Sequence, residues 1–135
     1  RRSLVVLDGL QQVASGSSAS FDVGGFITPS GGGGSAAVTV QAYDGDLGLD
    51  GDQLLVGGAD LVDGANPAGN TFNATISDRG TLAQGAGAFA NTFGFDVDTF
   101  DLAGVLPGGS TSTTVELRTD ADVYLAGMVA ISVDQ

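Results

Sequence analysis

The sequence contains no cysteine, histidine, lysine or tryptophan. Without cysteine and histidine, the chain can form no disulfide and none of the zinc sites, haem sites or nucleophiles that these residues provide. Its many serines and threonines also lack the histidine or lysine that a Ser-His-Asp triad or a Ser-Lys dyad requires. The sequence therefore predicts a protein that is not an enzyme.

Long apolar runs and positive charges are also missing. No apolar stretch approaches the roughly 20 residues that cross a bilayer as a helix, so we expect no membrane insertion. Four arginines face 16 acidic residues, which gives a net charge of -12. A surface of this charge repels the phosphate backbone, which argues against a nucleic-acid partner.

What the chain has in abundance is glycine and aspartate. There are 23 glycines among 135 residues, more than twice the usual share of ~7%. Every acidic residue except Glu116 is an aspartate, a residue that favours turns over helix interiors. Four Asp-Gly pairs, of the kind found in hairpin turns, stand at 8–9, 44–45, 50–51 and 63–64. This composition is typical of a turn-rich β protein.

Short apolar runs with period-two alternation predict about eight strands. The clearest strand covers 36–43, where Val38, Val40 and Ala42 share one face. The others cover 3–7, 20–27, 53–56, 71–77, 92–98, 112–118 and 122–133, the last with a kink at Gly127. Segments 28–35 and 78–91 read as loops, the second with a weakly signalled helical turn at Leu82. We predict one all-β domain over 1–135, an antiparallel β-sandwich that is jelly-roll-like.

One stretch, 43–57, concentrates possible ligand chemistry. Its aspartates are spaced two apart around glycines, which suits a Ca²⁺ site; they are Asp44, Asp46, Asp50 and Asp52. The EF-hand pattern is incomplete, because Gly48 occupies the position of the third ligand and Leu55 that of the distant Glu. The alternative is a solvated loop whose aspartates cap turns. Calcium is the one cofactor that the sequence suggests.

Two other polar motifs have structural interpretations. Asp96 and Asp98 could suggest a glycosidase pair, but they lie opposite an apolar face of Phe93, Phe95 and Val97 and are expected to face water. Asn73 begins an N-glycosylation sequon on the polar face of its predicted strand. Most phenylalanines are predicted to be core residues: Phe21, Phe26, Phe72, Phe93, Phe95 and Phe100.

Three segments together resemble a domain of large secreted or surface-associated bacterial proteins that carry tandem β-sandwich repeats of unknown function. The segments are YDGDLGLDGDQLLVGGADLVDGANPAGNTFNATISDRG, NTFGFDVDTFDLAGVL and STSTTVELRTDADVYLAGMVAISV. The resemblance implies an extracellular or cell-surface setting with an adhesive or structural role, and it carries no catalytic or ligand residues. Such domains usually begin further upstream, which predicts that an N-terminal strand is lacking here.

A missing strand would leave an open sheet edge that can template association. A second copy could fill the edge by strand addition, with 3–7 or 122–133 as the donor, giving a homo-oligomer or polymer. We therefore predict a structural subunit of an extracellular assembly, such as a filament, a pilus-like fibre or a surface layer. The alternative is a calcium- or carbohydrate-binding surface module.

Overall fold

A computed structural model of the chain describes residues 1–31, 35–84 and 91–135, and all regular secondary structure in these ranges is β-strand. The ten strands are β1 (Arg2–Val13), β2 (Ser17–Gly24), β3 (Ala36–Tyr43), β4 (Gln53–Val56), β5 (Ala59–Asp60), β6 (Ile76–Asp78), β7 (Thr81–Leu82), β8 (Phe95–Asp101), β9 (Ser112–Thr119) and β10 (Tyr124–Asp134). Strand β7 lies where a helical turn was weakly signalled. Residues 32–34 and 85–90 of the two predicted loops lie outside the described residues.

The strands form two sheets that pack as a sandwich. One sheet has the order β1-β10-β3-β8-β6-β7 and the other the order β2-β9-β4-β5, and every pair is antiparallel except β6 with β8. Without β6 and β7, which extend one edge of the first sheet, the two sheets have the strand order of a jelly roll, β1-β10-β3-β8 and β2-β9-β4-β5. The predicted fold class is confirmed. The described residues contain ten strands rather than about eight, because β5 and β7 have only two residues each, too few to show a period.

Alternating side chains from both sheets fill the core. On β3 the predicted inward face, Val38, Val40 and Ala42, is fully buried. On β9, Val115 and Leu117 are fully buried, also as predicted. Each such valine or leucine contributes roughly 1.5–3 kcal/mol on full burial, and this places the main stabilisation between the two sheets.

The final strand lies inside its sheet. Strand β10 pairs with β1 on one side and β3 on the other, and its register shifts between Ala126 and Met128, which confirms the kink at Gly127. Because both of its edges are used, β10 is not free to act as the donor strand that we predicted. In the described ranges, no helix is long and apolar enough to cross a membrane.

Strand β1 is longer than its prediction over 3–7. It continues to Val13 through a bulge between Asp8 and Gln11, where the Asp-Gly pair was predicted to end the strand. Among the described strands, the sheet order leaves no gap between paired neighbours, so a further strand could pair only at an outer edge.

The side-chain face that strand β8 turns toward the core is the opposite of the one predicted. Its backbone register pairs Ala42 with Asp96 and Val40 with Asp98. Paired residues on neighbouring strands share a face, so both aspartates point inward with the buried face of β3. Phe95 is therefore only half-buried on the outer face, and Phe93, just before the strand, is 93% exposed. The prediction of Phe93 as a core residue is wrong, as is the prediction that these aspartates face water.

Candidate functional site

Four loops are tied together at the end of the sandwich where β3 ends. The amide of Gly45 donates to the Gly94 carbonyl at 3.3 Å, which joins the 44–52 loop to the start of β8. Segment 66–75 bonds to both of these parts. The amide of Thr92, just before β8, donates to the Ala74 carbonyl at 2.9 Å, and the amide of Asp52 donates to the Gly69 carbonyl at 3.1 Å. The amide of Asp120 reaches the Gly51 carbonyl at 3.2 Å, which adds the β9–β10 loop. The rigid strands beneath thus position one continuous loop surface.

A cleft of about 320 Å³ opens on this loop surface. It is lined by Asp44, Gly45, Asp46, Leu47, Ala74, Asn91, Phe93 and Gly94. Clefts of this volume lie at the small end of the range that holds small-molecule ligands. Its walls combine an aromatic ring with two carboxylates and an amide, which supply both an apolar surface and hydrogen-bonding groups.

Phe93 is the most unusual residue of the cleft. The residue is 93% exposed, and its backbone has φ of +57°, a left-handed conformation that bulky residues rarely adopt. The side chain of Asn91 stabilises this conformation by accepting the Phe93 amide at 2.7 Å. Backbone strain of this kind costs of order 1–3 kcal/mol and is concentrated at functional sites. The local structure therefore holds an aromatic ring in the solvent at the rim of a cleft.

A pair of aromatic residues lies on the outer face of the sheet next to the cleft. Tyr43, at the end of β3, and Phe95, at the start of β8, are cross-strand partners with ring centroids 5.5 Å apart. Tyr43 is 43% exposed. Because Tyr43 precedes Asp44 and Phe95 follows Gly94, this aromatic surface is continuous along the chain with the walls of the cleft.

Beneath the loop surface, three aspartates are fully buried: Asp52, Asp96 and Asp98. Burial, which disfavours the charged form, is the main cause that raises the pKa of each to about 7. Hydrogen bonds partly oppose this effect. The amide of Thr75 donates to Asp96 at 3.1 Å, and the hydroxyl of Ser77 donates to Asp98 at 2.6 Å. These carboxyl groups change charge near neutral pH.

Asp52 has a close acidic neighbour in Asp122. The two carboxyl groups lie side by side, and each acts on the pKa of the other, although burial is the main cause that raises both pKa values. The Thr119 hydroxyl lies near Asp52 and lowers its pKa, but it forms no hydrogen bond of ordinary geometry with either carboxylate oxygen. Two carboxylates only accept hydrogen bonds, so neither can satisfy the other while both are charged.

The four predicted calcium ligands occupy different environments. Asp44, Asp46 and Asp50 are exposed, whereas Asp52 is fully buried. Asp46 acts on the pKa of both Asp52 and Asp122, and Asp44 acts on that of Asp122. In the part of the chain that the structure describes, no three acidic side chains are arranged to hold a metal by themselves. Calcium binding by these four aspartates stays a prediction.

Sequence reasoning missed Asp122 because it is 70 residues from Asp52 along the chain. The relevant signal was its place in the turn that follows β9, the strand paired with β4 directly after Asp52. Asn70 was missed for the same reason. It forms an isolated backbone bridge with Asp52, although no strand was predicted at that position.

The sequon prediction placed Asn73 on an exposed face, and this is wrong. Asn73 is buried; its amide nitrogen donates to the Ala65 carbonyl at 2.9 Å and its amide oxygen accepts the Thr75 hydroxyl at 2.6 Å. Segment 71–75 is buried but not a strand, because it packs under the loop surface instead of joining a sheet. A glycosylating enzyme has no access to this amide in the folded protein.

None of the known protein-family models matches the sequence, and no curated protein is significantly similar to it. Solved structures of similar fold do exist. BuGH86 in complex with neoagarooctaose, as wild type and as a single-site variant, matches with a TM-score of 0.57 and 16% identity over 98% of this chain. BpGH86A, a β-porphyranase of glycoside hydrolase family 86 from the human gut bacterium Bacteroides plebeius, matches with a TM-score of 0.55 and 16% identity over 99% of this chain.

The chain spans about a fifth of the length of these structures, covering 19% of BuGH86 and 20% of BpGH86A. At this identity the likeness shows the fold. The comparison contradicts our prediction of a structural subunit of a filament, fibre or surface layer, because these matching folds are parts of glycoside hydrolases. Of the alternative that we predicted, a calcium- or carbohydrate-binding module, it fits the carbohydrate part and leaves calcium untested.

Proposed function

We propose that this chain is a non-catalytic module that binds a neutral polysaccharide through the cleft at Phe93. The observation that carries the proposal is Phe93, a residue that is 93% exposed and held by a left-handed backbone at the rim of a polar cleft. An exposed aromatic face offers a flat apolar surface on which the C–H face of a sugar ring can stack. Single exposed apolar side chains are common on protein surfaces, and what sets this ring apart is its left-handed backbone and its place at a polar cleft.

The polar residues of the cleft suit sugar hydroxyl groups. Asp44 and Asp46 supply carboxylate oxygens that accept hydrogen bonds, and the Asn91 amide supplies a donor next to the ring. Hydrogen bonds to charged acceptors are stronger than those between neutral groups and orient the ligand. The exposed pair of Tyr43 and Phe95 extends the aromatic surface beyond the cleft, which suits a chain of sugars.

The charge of the protein selects among polysaccharides. With a net charge of -12 and two aspartates in the cleft, the surface repels sulfated or carboxylated sugars. Neoagarooctaose is the sugar bound in one of the structurally similar glycoside hydrolases. It serves as a neutral galactan probe, and sulfated porphyran oligosaccharides are the matched charged probe. An extracellular or cell-surface location is part of this proposal, and a polysaccharide ligand supports it.

We assign the module no catalytic role. The two carboxylates with the spacing of a glycosidase pair, Asp96 and Asp98, are fully buried beneath the loops. A general acid must reach the glycosidic oxygen, which these side chains cannot do from the core. The module would act by holding a larger carbohydrate-active protein on its substrate.

Isothermal titration calorimetry with neoagarooctaose tests the proposal. We expect a dissociation constant between the micromolar and millimolar ranges, about 4–8 kcal/mol of binding free energy, and no binding of sulfated porphyran oligosaccharides. Phe93→Ala should weaken binding at least about tenfold, a loss of about 1.4 kcal/mol. The control is Ile27→Ala, which removes a half-exposed apolar side chain at the opposite end of β3. Equal affinity of wild type and Phe93→Ala would refute the proposed site.

A further inference from the structure

Four side-chain oxygens are buried at the base of the loop surface without a hydrogen-bond partner. They are both carboxylate oxygens of Asp52, Oδ2 of Asp122 and Oδ1 of Asn70. These residues are 0%, 6% and 7% exposed, so solvent does not reach the oxygens freely. A buried acceptor without a donor costs about 1–3 kcal/mol, and a charged one costs more. The fold tolerates a set of such acceptors in one place.

The backbone holds these three residues together. Asp52 and Asn70 form a parallel bridge, and the Thr71 amide donates to the Asp52 carbonyl at 3.3 Å. The Asn70 side chain is oriented by its Nδ2, which donates to the Leu47 carbonyl at 3.3 Å and leaves Oδ1 free. Asp122 is fixed by its amide, which donates to the Thr119 hydroxyl at 2.9 Å, and its carboxyl group lies beside that of Asp52. Three loops thus contribute oxygens to one buried location.

The surroundings add negative charge. The strongest charges that act on Asp52 and Asp122, besides each other, are Asp46 and Asp44. Two of the four arginines form ion pairs elsewhere, Arg2 with Asp134 and Arg79 with Asp78. Adjacent carboxylates with only acceptor atoms require a proton or a cation between them. At neutral pH and above, a cation satisfies the unpartnered oxygens of all three residues at once.

We propose that Asp52, Asp122 and Asn70 bind one Ca²⁺ ion, with water and the nearby Asp46 completing its coordination. Calcium takes six to eight oxygen ligands from carboxylates, amides and carbonyls in flexible geometry. Four unpartnered oxygens from two aspartates and one asparagine supply the protein part of such a set. The site differs from the Asp-rich loop pattern, because Asp50 is exposed and plays no part in it. Asp46 also lines the sugar cleft, whereas Asp52, Asp122 and Asn70 do not.

Two carboxylates give a modest charge, so we expect a dissociation constant between about 10⁻⁵ and 10⁻³ M. Terbium, which replaces calcium at oxygen sites and luminesces when a nearby tyrosine is excited, locates the ion. The chain has two tyrosines and no tryptophan. Tyr124 lies close enough to Asp52 and Asp122 for their charges to act on its hydroxyl, whereas Tyr43 is exposed next to Asp44.

The experiment titrates the calcium-free protein with Tb³⁺ and then displaces it with Ca²⁺. We expect saturable emission that Ca²⁺ removes, that Tyr124→Phe abolishes and that Tyr43→Phe leaves intact. Emission that depends on Tyr43 instead would overturn the assignment and place the ion on the exposed loop. Absence of saturable emission would overturn the proposal entirely.

Variants of the ligands complete the test. Asp52→Asn and Asp122→Asn should each weaken Ca²⁺ binding at least about tenfold in calorimetry, whereas the exposed control Asp8→Asn changes the net charge equally and should bind like wild type. Should Asp52→Asn fail to fold, Asp122→Asn together with the tyrosine variants still decides the question. Wild-type affinity in Asp122→Asn would overturn the site.

Discussion

At the scale of single residues, strand β8 buries the side-chain face that its sequence predicts to be exposed. Simple alternation favours Phe93, Phe95 and Val97 as the buried face, since apolar residues are usually inside. The register with β3 decides otherwise and buries Asp96 and Asp98. Hydrogen bonds from Thr75 and Ser77 compensate part of the burial cost. The result is a core with titratable groups and a surface with an unusual aromatic ring.

Burial of Asp96 and Asp98 makes stability depend on pH in an unusual direction. Their pKa values of about 7 in the folded protein exceed the ordinary value of ~3.9, so the folded state binds more protons than the unfolded chain between these pH values. Their stabilising contribution is complete below pH ~4 and is lost as the pH rises through 7. In EDTA, the melting temperature should fall by at least about 5 °C from pH 5 to pH 8.

Differential scanning calorimetry in EDTA across this pH range measures the effect. Asp98→Asn removes one of the three buried aspartates whose pKa is raised to about 7 and should make the curve less steep, whereas Asp101→Asn, which alters an exposed acid on the same strand, should leave it unchanged. A melting temperature that rises between pH 5 and pH 8 would show that these carboxylates are charged and satisfied in the folded protein.

At the scale of elements, the alternation of apolar and polar residues predicted the bounds of three strands well. Strands β3, β4 and β9 occur within one residue of their predicted bounds, because each has apolar residues at every second position and turn residues at both ends. In the predicted strand 71–77, only the last two residues belong to a strand, β6, because residues 71–75 pack under the loops instead of joining a sheet. The buried acids at Asp52 and Asp122 could not be predicted as neighbours, since only the sheet order brings their loops together.

The 44–52 loop illustrates how close packing fixes the cleft. A Cβ atom at Gly45 would lie 2.5 Å from the Phe72 carbonyl oxygen and closer still to Oδ2 of Asp96. The first contact is with backbone, which cannot move away cheaply. Gly45→Ala should therefore destabilise the protein by about 1–3 kcal/mol, the usual cost of overpacking.

Gly48 in the same loop is the matched control. A Cβ atom there would meet nothing within 4 Å, so Gly48→Ala should be neutral or slightly stabilising through the reduced entropy of the unfolded chain. Urea denaturation of the two variants gives the comparison. Equal midpoints would mean that the 44–52 loop is not packed against segment 72–74 and strand β8 in solution.

At the scale of the whole molecule, the jelly roll acts as a rigid support for one functional end. Two sheets bury the aliphatic core between them, and the loops that follow β3, β5 and β9 meet where the cleft and the buried oxygens lie. A second cavity of about 250 Å³ lies elsewhere, under the bulge of β1, and is lined mainly by apolar residues such as Leu7, Leu10 and Phe21. Its lining includes Asp8 and Gln11 but is otherwise largely aliphatic, whereas the cleft at Phe93 combines an exposed aromatic ring with two carboxylates and an amide.

The most direct test of the account is to map the sugar on the molecule. In ¹⁵N-labelled protein titrated with neoagarooctaose, we predict amide chemical-shift changes at 44–47, 74 and 91–94, with the largest next to Phe93. The amides of 7–11 and 126–129, around the apolar cavity, should stay in place. Shifts confined to the apolar cavity, or a spectrum that the sugar leaves unchanged, would contradict carbohydrate binding at this cleft.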